Sequence, residues 1–237
     1  MRPAARLIAL SLLTLFVPSM AASSIARAEC TGPTTPNVTV RIDIPPVSED
    51  RLFGLNELSA MPSASKRDGM EDYTHTLGMM HAQVSEPDIQ IDYLTTDDGH
   101  GNYCTTAKSA TVTLEWKMSV HIAAEIKPGS CLDRTTDEHE QGHVNIDKAL
   151  IPINQRTIEL AVTSVVRNGF PGSSAAATQR ALSDQAKVAV DQADEIFTVI
   201  RRRQQLAHDS KEEYDRMSDA CGLMEYLRLL RDSLKKP

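Results

Sequence analysis

The chain has 237 residues, with 25 Lys and Arg against 32 Asp and Glu, a formal net charge of −7. That length suits one compact domain with an appendage, or two small domains. The acidic balance lacks the basic face with which a nucleic-acid binder grips phosphates, so nucleic acid is excluded as a partner class.

The chain begins "MRPAARLIALSLLTLFVPSMAASSIARAEC". Arginines precede an apolar run from Leu7 to Val17, and Ala26-Arg27-Ala28 supplies a small-residue cleavage site, so residues 1–28 read as a signal peptide. The run is too short to span a bilayer, and Glu29, next to Cys30, argues against lipid attachment. The expectation is a periplasmic or secreted protein with no stable membrane insertion after cleavage. Cys30, Cys104, Cys131 and Cys221 make an even set for an oxidising compartment, and three pairings are open. Cys104–Cys131 is favoured because both residues flank the segment leading into the histidine-bearing helix described below. Cys30–Cys221 would then tie the N-terminus to the C-terminal helices.

"NVTVRIDI" alternates Val38, Val40, Ile42 and Ile44 with polar residues and reads as a half-buried strand ended by Pro45-Pro46. From there to about Asp72, Ser, Pro, Gly and charge predict a long loop with room for a helical turn near Leu52, Phe53 and Leu55. "DIQIDYL" at 88–94 is a second strand and "DDGHGN" at 97–102 a turn. In "TVTLEWKMSVHI", Val112, Leu114, Trp116, Met118, Val120 and Ile122 alternate without a break, predicting a strand with one buried and one wet face. Pro128-Gly129 ends it. A helical pattern then runs from about Thr135 to Arg167, and Pro152 inside it predicts a motif helix of roughly four turns followed by a second helix. After "GFPGSSAAAT" the pattern stays helical. Leu182, Ala186, Ala189, Ala193, Ile196 and Ile200 form an apolar seam, and Ser210 with Glu213 starts a further helix with Met217, Cys221, Met224, Leu227 and Leu230 inward. These last two helices are expected to pair as a hairpin. The run Arg201 to Arg203 reads as a solvated helix face.

"TTDEHEQGHVNID" carries the chemistry. On a helix, His139 and His143 share a face and can offer two imidazoles to one zinc ion. Glu140, beside the first, is placed to take a proton from a metal-bound water. Gly142 costs about 1 kcal/mol relative to Ala inside a helix, so close packing there is expected, by the sheet or by bound substrate. The third ligand stays open. Asp147 shares the face but lies too far along the axis to join, and is expected to be a salt-bridge partner or a support behind the ligands. Glu159, Asp191, Glu195, His208 and Asp215 are downstream candidates, with preference for Glu159 and the Tyr214-Asp215 pair. His75, His81, His100 and His121 read as structural or exposed.

"YTHTLGMM", Tyr103-Cys104, "VHIAAEIKPGSC" and "EHEQGHVNID" resemble a family of bacterial predicted secreted Zn-dependent proteases over about Tyr73 to Leu150. The resemblance implies a zincin-like α+β core, with a small antiparallel sheet packed on the motif helix. It also implies metal roles for His139 and His143, a catalytic role for Glu140 and, loosely, the Cys104–Cys131 bridge. Some members carry a late Tyr-Asp followed by His-Gly. Tyr214 and Asp215 match the first pair here, while Ala220 and Cys221 stand in the later places.

The expected organisation is a metallopeptidase core at 29–170 and a C-terminal helical hairpin at 171–237. The expected function is hydrolysis of a peptide or protein substrate, laid along the wet face of the 111–121 strand by strand addition. The alternative is a non-catalytic envelope protein whose degenerate zincin core binds metal structurally or not at all, with the C-terminal hairpin as its partner surface.

Overall fold

A single strand organises the fold. The computed structural model describes residues 30, 35–61, 75–222, 228–229 and 231, so the signal segment read at 1–28 and the inward positions expected at Met224, Leu227 and Leu230 lie outside the described residues. Strand β5 (Tyr103–Ile122) is 20 residues long and keeps the alternation of its sequence, with Val112, Leu114, Trp116, Met118, Val120 and Ile122 all buried.

Every other strand pairs with β5. Along one edge run β4 (Asp88–Asp97) and β3 (Gly78–Val84), both antiparallel to it. Val84 faces Trp116 and Asp88 faces Thr113, so the two form one rail interrupted by an extra residue in the Ser85–Pro87 link. Gly99 and Gly101, at φ 75° and 82°, supply the left-handed backbone of the turn from β4 into β5. Along the other edge run β1 (Asn37–Asp43) and β2 (Ser48–Asp50), both parallel to β5 and separated by the Pro45-Pro46 break. A short β6 (Phe170–Gly172) pairs antiparallel with Tyr103–Thr105. The sheet is therefore mixed, not the small antiparallel one expected. The substrate path along β5 also fails, because both of its edges already carry strands.

Helix α1 (Leu55–Ala60) falls in the stretch expected to be mostly loop, and its Leu55 and Leu58 are wholly buried. Helix α2 (Cys131–Val166) starts at a Ser130 cap, whose hydroxyl accepts the Asp133 N–H at 3.2 Å. It continues through Pro152, contrary to the split expected there. The proline sits on the exposed side. Buried residues from Leu132 to Val166 hold the helix against the sheet and against α3, which outweighs the roughly 3 kcal/mol a mid-helix proline costs.

Helix α3 (Ala175–His208) runs back along α2, and α4 (Lys211–Cys221) also packs on α2. The expected hairpin between the last two helices is thus replaced by one between α2 and α3. The buried seam of α3 is Leu182, Ala186, Ala189, Val190, Ala193 and Phe197. Ile196 and Ile200, expected inside, are 58% and 38% exposed, because the buried face rotates by one residue at Phe197.

The disulfides are Cys30–Cys104 and Cys131–Cys221, which corrects the favoured pairing. Cys104 lies at the start of β5 and Cys131 beyond its end, so tens of ångströms of strand separate them, whereas a disulfide needs Cα atoms within about 7 Å. Two disulfides fit an oxidising compartment outside the cytoplasm. No helix among the described residues is long and apolar enough to cross a membrane.

The start of α2 is pinned by charge. Asp133 accepts from the Gly129 N–H at 2.6 Å and pairs with Arg51, which also donates to the Ile126 carbonyl at 3.3 Å. Burial pushes the Asp133 carboxyl up, but the Arg51 guanidinium and the Gly129 N–H together hold it below its ordinary value. A depressed carboxyl stabilises the fold above its unfolded pKa of about 3.9 and loses that contribution as pH falls through the folded value. Asp133→Asn is therefore expected to cost about 1–2 kcal/mol at pH 7, and the gap to wild type should narrow as melting is repeated below pH ~3.9. A gap that stayed constant with pH would rule the ion pair out as its source.

Candidate metal centre

Two helices bring three histidines together. His139 and His143 stand one turn apart on α2, and His208 closes α3 beside them. One nitrogen from each lies within 4.8 Å of the others. The rings of His139 and His208 stack at 4.7 Å, and His143 meets His208 edge-on at the same distance. Gly142 is the point of crossing. A Cβ there would lie 2.2 Å from His208 Nε2 and 2.5 Å from its Cε1, so the glycine makes room for a histidine from α3, not for the sheet or a substrate.

The hydrogen bonds assign electron pairs. Gln205 Nε2 donates to Asp147 Oδ1 at 2.6 Å and to the His143 carbonyl at 3.2 Å. Its Oε1 therefore faces His143 Nδ1, which must donate to it, leaving Nε2 of His143 with its lone pair. His208 Nε2 sits 3.0 Å from the His139 carbonyl, which can only accept, so Nδ1 of His208 holds the free pair. His139 Nδ1 faces Glu213 Oε1 at 3.5 Å.

On the inner side, Asp209 Oδ1 lies 3.2 Å from His139 Nε2 and 2.8 Å from His143 Nε2. Both imidazoles thus have acceptors at both nitrogens, and a neutral ring carries one donor only. A proton on one ring would satisfy one of these contacts, and a metal ion held between the rings would satisfy the lone pairs of both. The three histidine nitrogens together could hold a metal ion, with the Asp209 carboxylate beside the two on α2.

Around this lies a buried support. Asp147 is wholly buried and receives Arg201 through both oxygens, at 2.7 and 2.9 Å, together with Trp116 Nε1 at 3.3 Å. Asp147, too far away to be a ligand, instead fixes Gln205, and Gln205 orients His143. Arg201, read as part of a solvated basic face, is the counter-charge that lets Asp147 be buried.

Glu140 is buried against β3, where a Cβ on Gly78 would come within 2.9 Å of its Cγ. Burial raises its pKa, against the lowering influence of His139 and His143. Burial would depress His143, but hydrogen bonding to Asp209 and that carboxylate's charge hold it above the usual imidazole value. Burial carries His208 below that value, against its bond to the His139 carbonyl. The Arg216 guanidinium, at 2.7 and 2.8 Å, carries Glu213 down to about 2, with partial burial opposing.

Of the third-ligand candidates only His208 reaches the pair on α2. Glu159 is bound to Arg156 at 2.6 Å and Asp215 to Lys211 at 2.6 Å, while Asp191 and Glu195 lie exposed on α3. Tyr214 does approach, its ring 5.5 Å from that of His139. His121 is engaged elsewhere, with Asp50 at 2.9 Å and Ser119 at 3.0 Å. Sequence reasoning missed Arg201, Gln205, Asp209 and Glu213. A signal existed: continuing the buried face of α3 past Ala193 and Phe197 in steps of four or three lands on Arg201, Gln205 and His208, polar residues where apolar ones should follow. Compared with family models, curated proteins and solved structures, the chain finds no match.

Proposed function

We propose that this protein is a zinc-dependent peptidase of the zincin type acting in the periplasm or outside the cell, akin to the secreted Zn-dependent proteases its motif resembles. The observation that carries the reading is the convergence of His139, His143 and His208, with Asp209 among them and Glu140 buried alongside. A zinc ion held there would supply Lewis acidity and bring the pKa of a bound water toward neutrality. The chain's own residues do the rest. Gln205 and Glu213 fix the tautomers of the two α2 histidines. Glu140, buried beside the histidines, would accept a proton from the bound water and return it to a leaving amine. A peptide as substrate is supported by β3, which runs beside Glu140. Among the described residues no strand pairs with its outer edge, so an extended chain could add there.

The test is zinc content per chain together with hydrolysis of a broad quenched-fluorescent peptide library. Wild type and Glu140→Gln should each carry one zinc, with hydrolysis falling at least about 100-fold in the variant. His143→Ala should lose the metal. Zinc-free wild type would overturn the metal reading.

A second reading has its own support. Asp209 lies within reach of both imidazoles, so four protein groups could close the coordination sphere, as in a structural site with no place for water. Stoichiometric zinc with no hydrolysis of any peptide would favour that reading, a non-catalytic envelope protein.

A further inference from the structure

The outer face of α3 carries a pattern that is complementary to itself. Val188, Ile196, Val199 and Ile200 are 42%, 58%, 70% and 38% exposed on this one helix. Scattered apolar residues on a surface need no explanation, but a row along a helix does. Just before the central group stand exposed Asp191 and Glu195, and just after it exposed Arg202 and Arg203. The order along the helix is therefore acidic, apolar, basic.

We propose that this face pairs with the same face of a second copy of the chain, the two α3 helices lying antiparallel across a two-fold axis near Phe197–Val199. In that arrangement Ile196, Val199 and Ile200 of both copies meet at the centre. Asp191 and Glu195 of each copy lie against Arg202 and Arg203 of the other. A parallel pairing would set acid on acid and base on base, so the charges select the antiparallel one. A two-fold axis also closes the assembly, since each copy offers the same patch and receives it. The central apolar group is short and the charged ends are exposed, so the dimer is expected to be a micromolar one.

Sedimentation equilibrium on the mature, metal-loaded chain at moderate salt tests this. The mass should rise from one chain to two as concentration climbs into the hundreds of micromolar. Val199→Glu should weaken the dimer at least about tenfold, and so should the pair R202E/R203E. Adding D191R/E195R to that pair reverses all four charges in one chain and should restore dimerisation to within about threefold of wild type. All five positions are exposed, so the fold should survive each change, with circular dichroism and zinc content as the check. Three results would overturn the proposal. One is a wild type monomeric at every concentration, as when another part of the chain covers this face. Another is a Val199→Glu variant that dimerises like wild type. The last is a four-charge variant no better than the R202E/R203E pair, which would exclude the antiparallel arrangement. None of these outcomes depends on whether the metal centre hydrolyses peptides.

Discussion

Asp147→Ala is expected to cost the fold about 3 kcal/mol, the low end of what breaking a buried ion pair costs, and to weaken metal binding by about 10–100-fold. The first effect comes from Arg201, whose guanidinium would lose both of its carboxylate bonds, at 2.7 and 2.9 Å, while 27% exposed and so only partly rescued by water. The second comes from Gln205. With the bond to Asp147 at 2.6 Å gone, the amide keeps only its longer bond to the His143 carbonyl at 3.2 Å, and Oε1 selects the His143 tautomer that presents Nε2 less firmly. Urea denaturation measures the first effect. Cobalt titration, read by its visible bands, measures the second. Lost stability with unchanged affinity would mean that Asp147 is a structural anchor and nothing more. Gln205→Ala, which removes the oxygen facing His143 Nδ1 but leaves the Asp147–Arg201 pair in place, should also weaken affinity if orientation is what matters.

Gly142→Ala separates the metal site from the fold in the opposite sense. Alanine should gain about 1 kcal/mol in helix propensity, yet its Cβ falls 2.2 Å from His208 Nε2. The far end of a side chain can swing away, so the melting temperature should change little. His208 cannot stay where it is, however, and a site short of one imidazole should lose more than the roughly 10–100-fold typical of losing an outer partner. A variant that melts like wild type but binds cobalt poorly is the expected result. Undiminished affinity would mean that His208 is not a ligand and that Asp209 takes its place.

The parts of the molecule legible in sequence were those governed by local periodicity. The alternation from Thr111 to Ile122 became the central strand, and the spacing of His139 and His143 became one face of a helix, because both depend on a repeat visible within a dozen residues. What was not legible depends on relations across the chain. Nothing near Cys104 says that Cys131 lies at the far end of a 20-residue strand. Nothing near Pro152 says that two neighbouring layers keep the helix continuous through it. Ile196 and Ile200 fit a seam by spacing, but the helix shifts the register and turns Phe197 inward, where its ring packs edge-on against Trp116 of β5. That Asp147 supports the site through an ion pair, and is no ligand, was legible from its reach along the helix, but its partners were not. It is the acceptor for a triad of donors, Arg201, Gln205 and Trp116, two of which lie more than fifty residues away.

The bridge between Cys131 and Cys221 closes a ring with a sequence separation of 90, and all three histidines of the candidate metal centre, with Asp209 and Glu213, lie inside it. In the unfolded chain such a ring removes conformational freedom worth about 4–5 kcal/mol in the chain-entropy picture. It also raises the effective concentration of the α3–α4 junction at the α2 histidines before either helix has packed. Oxidation would then precede ion capture in the order of assembly: a chain exported reduced and unfolded would meet the metal with its donors scattered, and once oxidised would meet it with them confined to one loop.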